Sequence, residues 1–414
     1  MVNTRSAPLY SILNLQGFRC ENVYCNKYST AAIHKNGTVI IWDMEMLNLT
    51  LVFVAGLLTV ILTLSSALST FVLPRAARSQ LNRLVFGLLR RGFSSILHFA
   101  KTYQRRDAIM AYYAPIGLML LLPTWYLLIL LGYAAIYWSL GVGDPLAVFR
   151  LSGSSLIGLG FEASETLFIT MLVFTEAMIG LILVAMLIAY LPTMYSAFSR
   201  REQAVNMLEV RAGSPPSALE MLLRFNRNHG LDKLSDYWKT WEAWFADVEE
   251  SHTTLPALVF FRSPRAENSW VTAAGAVLDC AAITLSAIEI PYEASAALSI
   301  RAGYLALRRI ANYFDIPNPQ DPHYPTNPIC VDRAEFDSVI NQLAAAGLPI
   351  KTDREQVWRD FAGWRVNYDR ALILLCGLVM APQASWSSDR APKFNLPPLV
   401  LLKKHKLLVE GKNT

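Results

Sequence analysis

Charge is scarce in this sequence and unevenly withheld. Only 17% of its 414 residues are Asp, Glu, Lys or Arg, while 53% are hydrophobic and the mean hydropathy is +0.31. That balance excludes an ordinary soluble globular protein. Between Glu45 and Arg75 there is no charged residue, and between Asp107 and Asp144 there is again none. From Thr166 to Ser199 the single charge is Glu176. Each run exceeds the roughly 20 residues that carry a helix across about 30 Å of hydrocarbon. Three membrane helices are therefore expected, at residues 47–73, 108–140 and 165–195.

Other absences narrow the function. The five cysteines form no metal-ligand spacing, and Cys20 and Cys25 would pair only if the leader is exported. The C-terminal half contains no G-x-G-x-x-G, P-loop or cyclic-nucleotide pattern. No catalytic triad, metal cluster or carboxylate pair is legible, so the expectation is a protein that is not an enzyme and holds no resident cofactor or metal. Residues 1–45 lack the basic start and short apolar core of a signal peptide. Met44 and Met46 stand directly before the first apolar run. Either the leader is real or translation begins at one of them; both readings make it dispensable.

Acidic residues are missing altogether from residues 75–106, which hold Arg75, Arg78, Arg83, Arg90, Arg91, Lys101, Arg105 and Arg106. A short loop of that kind belongs on the cytoplasmic side of the inner (plasma) membrane. The N-terminus then lies outside and the C-terminal half inside, where Arg200 and Arg201 continue the bias. The net charge of +5 is thus read as membrane orientation, not as nucleic-acid binding. Within the loop, "LNRLVFGLLRRGFSSILHFAKTYQRR" alternates apolar and basic residues at near-helical spacing. That pattern predicts a helix in the headgroup layer, its arginines near acidic lipid phosphates.

The fold class expected is an all-α membrane protein. The leader is followed by a first membrane helix (46–74), a basic linker (75–107), a central membrane segment (108–200), a helical body (201–390) and an irregular tail (391–414). Pro115 and Pro123 should bend the second membrane helix, with Tyr112, Tyr113, Tyr137 and Trp138 as interfacial anchors near its ends. The third helix runs on through "YSAFSRREQAVNMLEVRAG" until Gly213, Pro215 and Pro216 close it. In the body, Trp238, Trp241, Phe245 and Val248 share one helix face, with Trp244 close by. "NSWVTAAGAVLDCAAITLSAIE" is apolar enough to cross a membrane, yet its Asp279 and small residues favour a buried core helix. "DIPNPQDPHYPTNP" reads as a loop before a last helical group at 332–380.

Between the second and third apolar runs, "GDPLAVFRLSGSSLI" is a helix of about a dozen residues, too short to span a bilayer. Its continuation "GLGF" is tolerated at membrane depth only if buried in protein or lining water. The C-terminal end of such a helix offers partial negative charge to a cation. Arg150 in this helix needs a partner, with Glu162, Glu165 and Glu176 available, or else reaches the outer interface. Glu176 lies inside an apolar helix, where a carboxylate is costly and usually functional. Gly180 shares its face.

In these segments the sequence resembles the pore-loop potassium channels of the two-membrane-helix type, and among them a bacterial branch with a helical cytoplasmic domain. The resemblance rests on "SGSSLIGLGF", "TEAMIG" and "YLPTMYSAFSRREQAVNMLEVRAGSPP", and more weakly on "ESHTTLPALVFFRSPRAENSW" and "AVLDCAAI". It covers most of residues 108 to about 290. It implies a re-entrant pore loop between the second and third membrane helices, a homotetramer, and a permeant monovalent cation, potassium first, in place of a cofactor. The ion pathway would fall on Gly158, Leu159, Gly160, Phe161 and Glu162, supported by Arg150, Ser154 and Ser155. Glu176 and Gly180 would belong to the inner helix, where a glycine serves as a gating hinge or as a close-packing point. His252, Arg262, Ser269, Trp270 and Asp279 fall in the matching part of the body, as a small ligand site or as a structural network.

The departures from the family are specific. Its filters read Thr-Leu/Val-Gly-Tyr/Phe-Gly-Asp, whereas this chain has Gly158, Leu159, Gly160, Phe161, Glu162 and Ala163. Gly158 removes the hydroxyl that helps bind the innermost ion, and Glu162 replaces the second glycine. A left-handed glutamate would cost about 1–2 kcal/mol. The expectation is a cation channel with an acidic mouth and weak potassium selectivity, which Gly158→Thr with Glu162→Gly would raise. The alternative is a non-conducting scaffold or sensor of the same fold.

Overall fold

The computed structural model describes residues 32–35, 38–41, 44–71, 80–162 and 166–392; the pairing of Cys20 with Cys25 and the tail beyond residue 392 lie outside them. Apart from a short antiparallel hairpin, β1 (Ala32–Lys35) with β2 (Thr38–Ile41), and one isolated bridge between Ile288 and Ile350, these residues are helical or irregular. Two compact units divide the chain, Met1–Ser65 with Thr124–Val184, and Ser66–Pro123 with Ala185–Thr414.

Three long apolar helices pass from one unit into the other: α1 (Met44–Phe71), α4 (Tyr113–Ser139) and α6 (Leu167–Ala212). Between α1 and α4 lie α2 (Gln80–Leu97) and α3 (Tyr103–Ala111). The second membrane helix thus begins with a break at Tyr112, where the sequence reading expected only a bend at Pro115. Pro115 explains it: the ring lacks an N–H for the Ala111 carbonyl and crowds it, so the helix restarts. Pro123 sits inside α4 without ending it. At the far end of α6, Gly213 takes φ +79° and donates its N–H to the Glu209 carbonyl at 2.9 Å, which stops the helix.

In the first unit, α1 and α4 approach through glycine. A Cβ on Gly56 would lie 2.6 Å from the Gly132 carbonyl oxygen, and one on Gly132 2.7 Å from Val60 Cγ2. Small residues permit this backbone approach between apolar helices. The same unit holds the 12-residue helix α5 (Pro145–Leu156).

The second unit is built around α9 (Trp270–Ala287), of which every residue but Leu285 is buried. It packs against α7 (Ala218–Arg227), α10 (Ala294–Tyr313), α12 (Arg354–Arg365) and α13 (Asp369–Val379). Helix α8 (Leu234–Thr254) lies along α10 and buries Trp238, Trp241, Trp244, Phe245 and Val248, as the face pattern predicted. Helix α11 (Arg333–Ala345) completes the last group. Among the described residues four helices are long and apolar enough to cross a membrane, at Met46–Phe71, Tyr103–Ser139, Leu167–Ala212 and Trp270–Ala287. The most apolar window of the last is 94% buried in protein, against 28%, 33% and 17% in the others. Open surfaces on three long apolar helices mark a membrane protein; α9 finds its apolar solvent in the helical body instead.

Candidate functional site

The site is built on α5. Asp144 caps it, accepting the Ala147 N–H at 2.8 Å, and Pro145 fits the first turn, where an N–H would have no partner. One face, Val148, Leu151, Ser152, Ser155 and Leu156, is buried with Ser154 beside it. Ser152 and Ser155 are tolerated there because their hydroxyls donate, Ser152 to the Leu130 carbonyl at 3.0 Å and Ser155 to the Leu151 carbonyl at 2.8 Å.

Past Ile157 the chain folds back on the end of α5. Gly158 and Gly160 take φ +77° and +66°, conformations that glycine adopts at little cost. The Gly158 N–H donates to the Ser155 carbonyl at 3.0 Å. Those of Leu159 and Gly160 reach the Ser154 carbonyl at 2.9 and 3.3 Å. The Ser154 hydroxyl then accepts from Phe161 N–H at 2.9 Å and Glu162 N–H at 3.3 Å. Five successive amides therefore turn toward two serines. Leu159 and Phe161 project into the open.

Arg150 finds its partner in Glu162, at 2.9 Å, and lies 5.9 Å from the Phe161 ring centre. Two expectations are corrected here. Glu162 is not among the left-handed residues, so the strain argued for it is absent. Gly158 is left-handed, so Gly158→Thr would force a β-branched residue into a conformation it rarely takes, and the family hydroxyl cannot be restored that way.

Glu176 is fully buried and accepts from the Tyr137 hydroxyl at 2.9 Å, while the single Ser152 hydroxyl proton is shared between Glu176 and the Leu130 carbonyl. Tyr137, expected as an interfacial anchor, is fully buried as this partner. Tyr113, expected in the same role, is buried in the second unit, while Tyr112 and Trp138 are exposed. Sequence reasoning missed Ser152 and Tyr137; a carboxylate inside an apolar helix requires donors, and that requirement was the available signal. Gly180 shows close approach: an added Cβ would stand 2.1 Å from the Leu156 carbonyl oxygen, at the end of α5. Its own carbonyl accepts from Tyr126 at 2.7 Å.

The residues proposed for the helical body do not gather into one site. His252 and Trp270 meet at a tilt of 52° with ring centres 4.7 Å apart. Arg262 pairs instead with Asp107 of α3 at 2.8 Å and donates to the Met380 carbonyl at 3.0 Å. Asp279 pairs with Arg365 and accepts from Tyr368 at 2.8 Å. The crevice lined by Arg262, Ser269 and Trp270 has about 10 Å³ of water-accessible space, room for one water and no ligand. Among the described residues no group of His, Cys, Asp and Glu could hold a metal.

Arg201, read with Arg200 as continuing the positive-inside bias, is fully buried. It donates to the Leu258 and Phe261 carbonyls at 2.9 and 2.8 Å, to Glu202 at 2.8 Å, and faces His252 Nε2 at 3.1 Å. With Nε2 accepting, Nδ1 carries the proton toward the Ser251 hydroxyl at 3.1 Å. Burial first, then the neighbouring Arg201 charge, hold the His252 pKa well below its ordinary value. The unfolded chain therefore binds a proton that the folded chain refuses, and stability falls as pH drops below about 6.5. The loss is at most about 1.4 kcal/mol per pH unit for one proton. Thermal melts of the full chain between pH 7.5 and 5 should show His252→Gln less stable at pH 7.5 but shallower in its pH dependence. An unchanged slope would mean that His252 is not the group responsible.

No family model, no curated protein and no solved structure matches this chain.

Proposed function

We propose that this chain is a subunit of a pore-loop cation channel, with α5 as the short re-entrant helix and residues 158–162 as the ion-facing loop. One observation carries the reading. The amides of residues 158–162 all turn back onto Ser154 and Ser155. Among the described residues no hydrogen bond ends on the carbonyl oxygens of Gly158, Leu159, Gly160 or Phe161. A run of free carbonyls beside a helix C-terminus suits a dehydrated cation. One such loop per chain cannot enclose an axis, so the working form is a homotetramer. The all-basic linker orients it with the N-terminus outside and the helical body in the cytoplasm, at the inner membrane. Gly158 supplies no hydroxyl ligand, so discrimination between cations is weak, and the Glu162 charge at the mouth is largely offset by Arg150.

Purified protein in planar bilayers tests this. Under a potassium–sodium gradient the expected current is cationic, with a reversal potential near that of a non-selective pore. A verified tetramer that passes no current would replace the channel by a non-conducting scaffold of the same fold. Arg150→Gln should release the Glu162 charge and raise cation conductance about two-fold at low ionic strength, an effect that salt screens away. Glu162→Gln should leave conductance unchanged or lower. If Arg150→Gln leaves conductance unaltered at low salt, Glu162 does not face the ion path.

A further inference from the structure

Helix α2 presents three faces, and one of them has no partner among the described residues. Its start is fastened to the last turns of α1: Asn82 donates to the Thr70 hydroxyl at 2.6 Å and accepts from Ser66 at 3.5 Å. Its middle is fastened to the first turns of α4, where Tyr113 donates to the Phe86 carbonyl at 3.1 Å. Gly117 admits the Phe86 ring so closely that a Cβ there would lie 2.3 Å from it. Because α1 and α4 are both long enough to cross a membrane, these bonds hold α2 at the level where both leave the hydrocarbon.

The second face turns to the helical body. Gly87, Arg90 and Phe93 are buried there. Arg90 donates to the Leu378 carbonyl at 3.2 Å, and the Phe93 ring meets the Tyr113 ring edge-on at 5.7 Å. Arg90 is thus not free for headgroups, against the expectation for the linker's arginines. The third face carries a stripe, Leu84, Leu88 and Ile96 on one row at intervals of four and eight, with Arg91 beside it and Phe99 just past the helix. The apolar members are 43%, 54%, 52% and 81% exposed in chain order. Lys101 and Arg105 follow, also exposed. Asp107, the next acid along the chain, is buried against Arg262 and does not offset them.

We propose that this stripe is a reader of anionic lipid. Leu84, Leu88, Ile96 and Phe99 enter the bilayer interface, while Arg91, Lys101 and Arg105 hold lipid phosphates. An apolar stripe at the height of the interface, with basic charge and no free acid, matches the chemistry of an acidic leaflet better than that of a protein partner. Because Arg90 stands between the stripe and the carbonyl end of α13, lipid engagement and the helical body act on the same helix. The proposal needs the chain to sit in a bilayer and does not depend on conduction.

The full chain, with a photo-crosslinking amino acid in place of Leu88 or, independently, of Ile96, is reconstituted into vesicles of equal parts phosphatidylglycerol and phosphatidylcholine. After illumination the adducts are identified by mass. Lipid adducts are expected at both positions and not at Lys239, an exposed position on α8. Phosphatidylglycerol adducts should outnumber phosphatidylcholine adducts about three-fold or more, and that excess should vanish in Arg91→Gln, Lys101→Gln, Arg105→Gln. Adducts to a second copy of the chain at both positions would assign the stripe to a subunit interface and overturn the proposal. Lipid adducts at the plain mole fraction would overturn the headgroup recognition, and absence of lipid adducts would overturn the whole. No current is measured, so failure here and failure of the channel reading are separate results.

Discussion

Arg365→Leu is expected to destabilise the helical body by about 3–5 kcal/mol, one of the two largest effects in this chain. Arg365 is fully buried, donates to Asp369 at 2.8 Å and to the Trp386 carbonyl at 2.5 Å, and pairs with Asp279 on α9. Burial opposes its charge, yet the Asp279 and Asp369 carboxylates outweigh that and hold the guanidinium pKa well above its ordinary value. A leucine would leave two buried carboxylates without their counter-charge and one carbonyl without its donor. For a body of this size the melting temperature should fall by about 6–20 °C. Arg365→Lys keeps the charge but cannot meet three acceptors with a planar fork, so it should fall between. The double change Arg365→Met with Asp279→Leu should cost less than the two single changes summed, since it removes the stranded charge with its partner. Thermal melts of the full chain in mild detergent check all five variants, including the single changes Arg365→Met and Asp279→Leu. A change under 1 °C in Arg365→Leu would mean that the network is solvated.

The network also shows what the sequence could and could not disclose. The apolar helices α1, α4 and α6 were legible because charge is absent from them for longer than chance allows. The buried state of α9 was legible for the opposite reason, since Asp279 in an apolar run demands a partner that lipid cannot supply. The partner itself was not legible: Arg365 lies on α12, and nothing local to either residue points to the other. The same holds for Glu176 with Ser152 and Tyr137, and for Arg201 with His252. The short helix at α5 could be read from composition and spacing, but the left-handed turn at Gly158 was not, and the expectation for Gly158→Thr rested on the opposite assumption. Glu162, by contrast, was given a strained backbone by analogy with a glycine it replaces, and the loop relieved that strain by turning its amide onto Ser154. The break at Tyr112 was available from Pro115, whose cost at the Ala111 carbonyl is local.

Gly180→Ala is expected to lower the yield of folded, assembled protein several-fold, and Gly180→Val to abolish it. In the first unit the added Cβ would lie 2.1 Å from the Leu156 carbonyl oxygen and 3.3 Å from Leu156 Cδ1. The near atom is backbone, so no side chain can rotate away; α5 and α6 must separate. Overpacking of this kind costs about 1–3 kcal/mol for one methyl group and more for a branched side chain. Separation would also loosen the Tyr126 bond to the Gly180 carbonyl and move Ser152 relative to Glu176. Gly92→Ala is the matched control, because nothing lies within 4 Å of a Cβ there. A helix-interior glycine replaced by alanine gains up to about 1 kcal/mol, so its yield should hold or rise. A glycine acting only as a hinge would behave differently at position 180: alanine would leave yield and melting temperature intact and change opening alone. Size-exclusion profiles and thermal melts of the two variants therefore separate the packing role from the hinge role before any current is recorded. Wild-type yield and stability in Gly180→Ala would overturn the packing role.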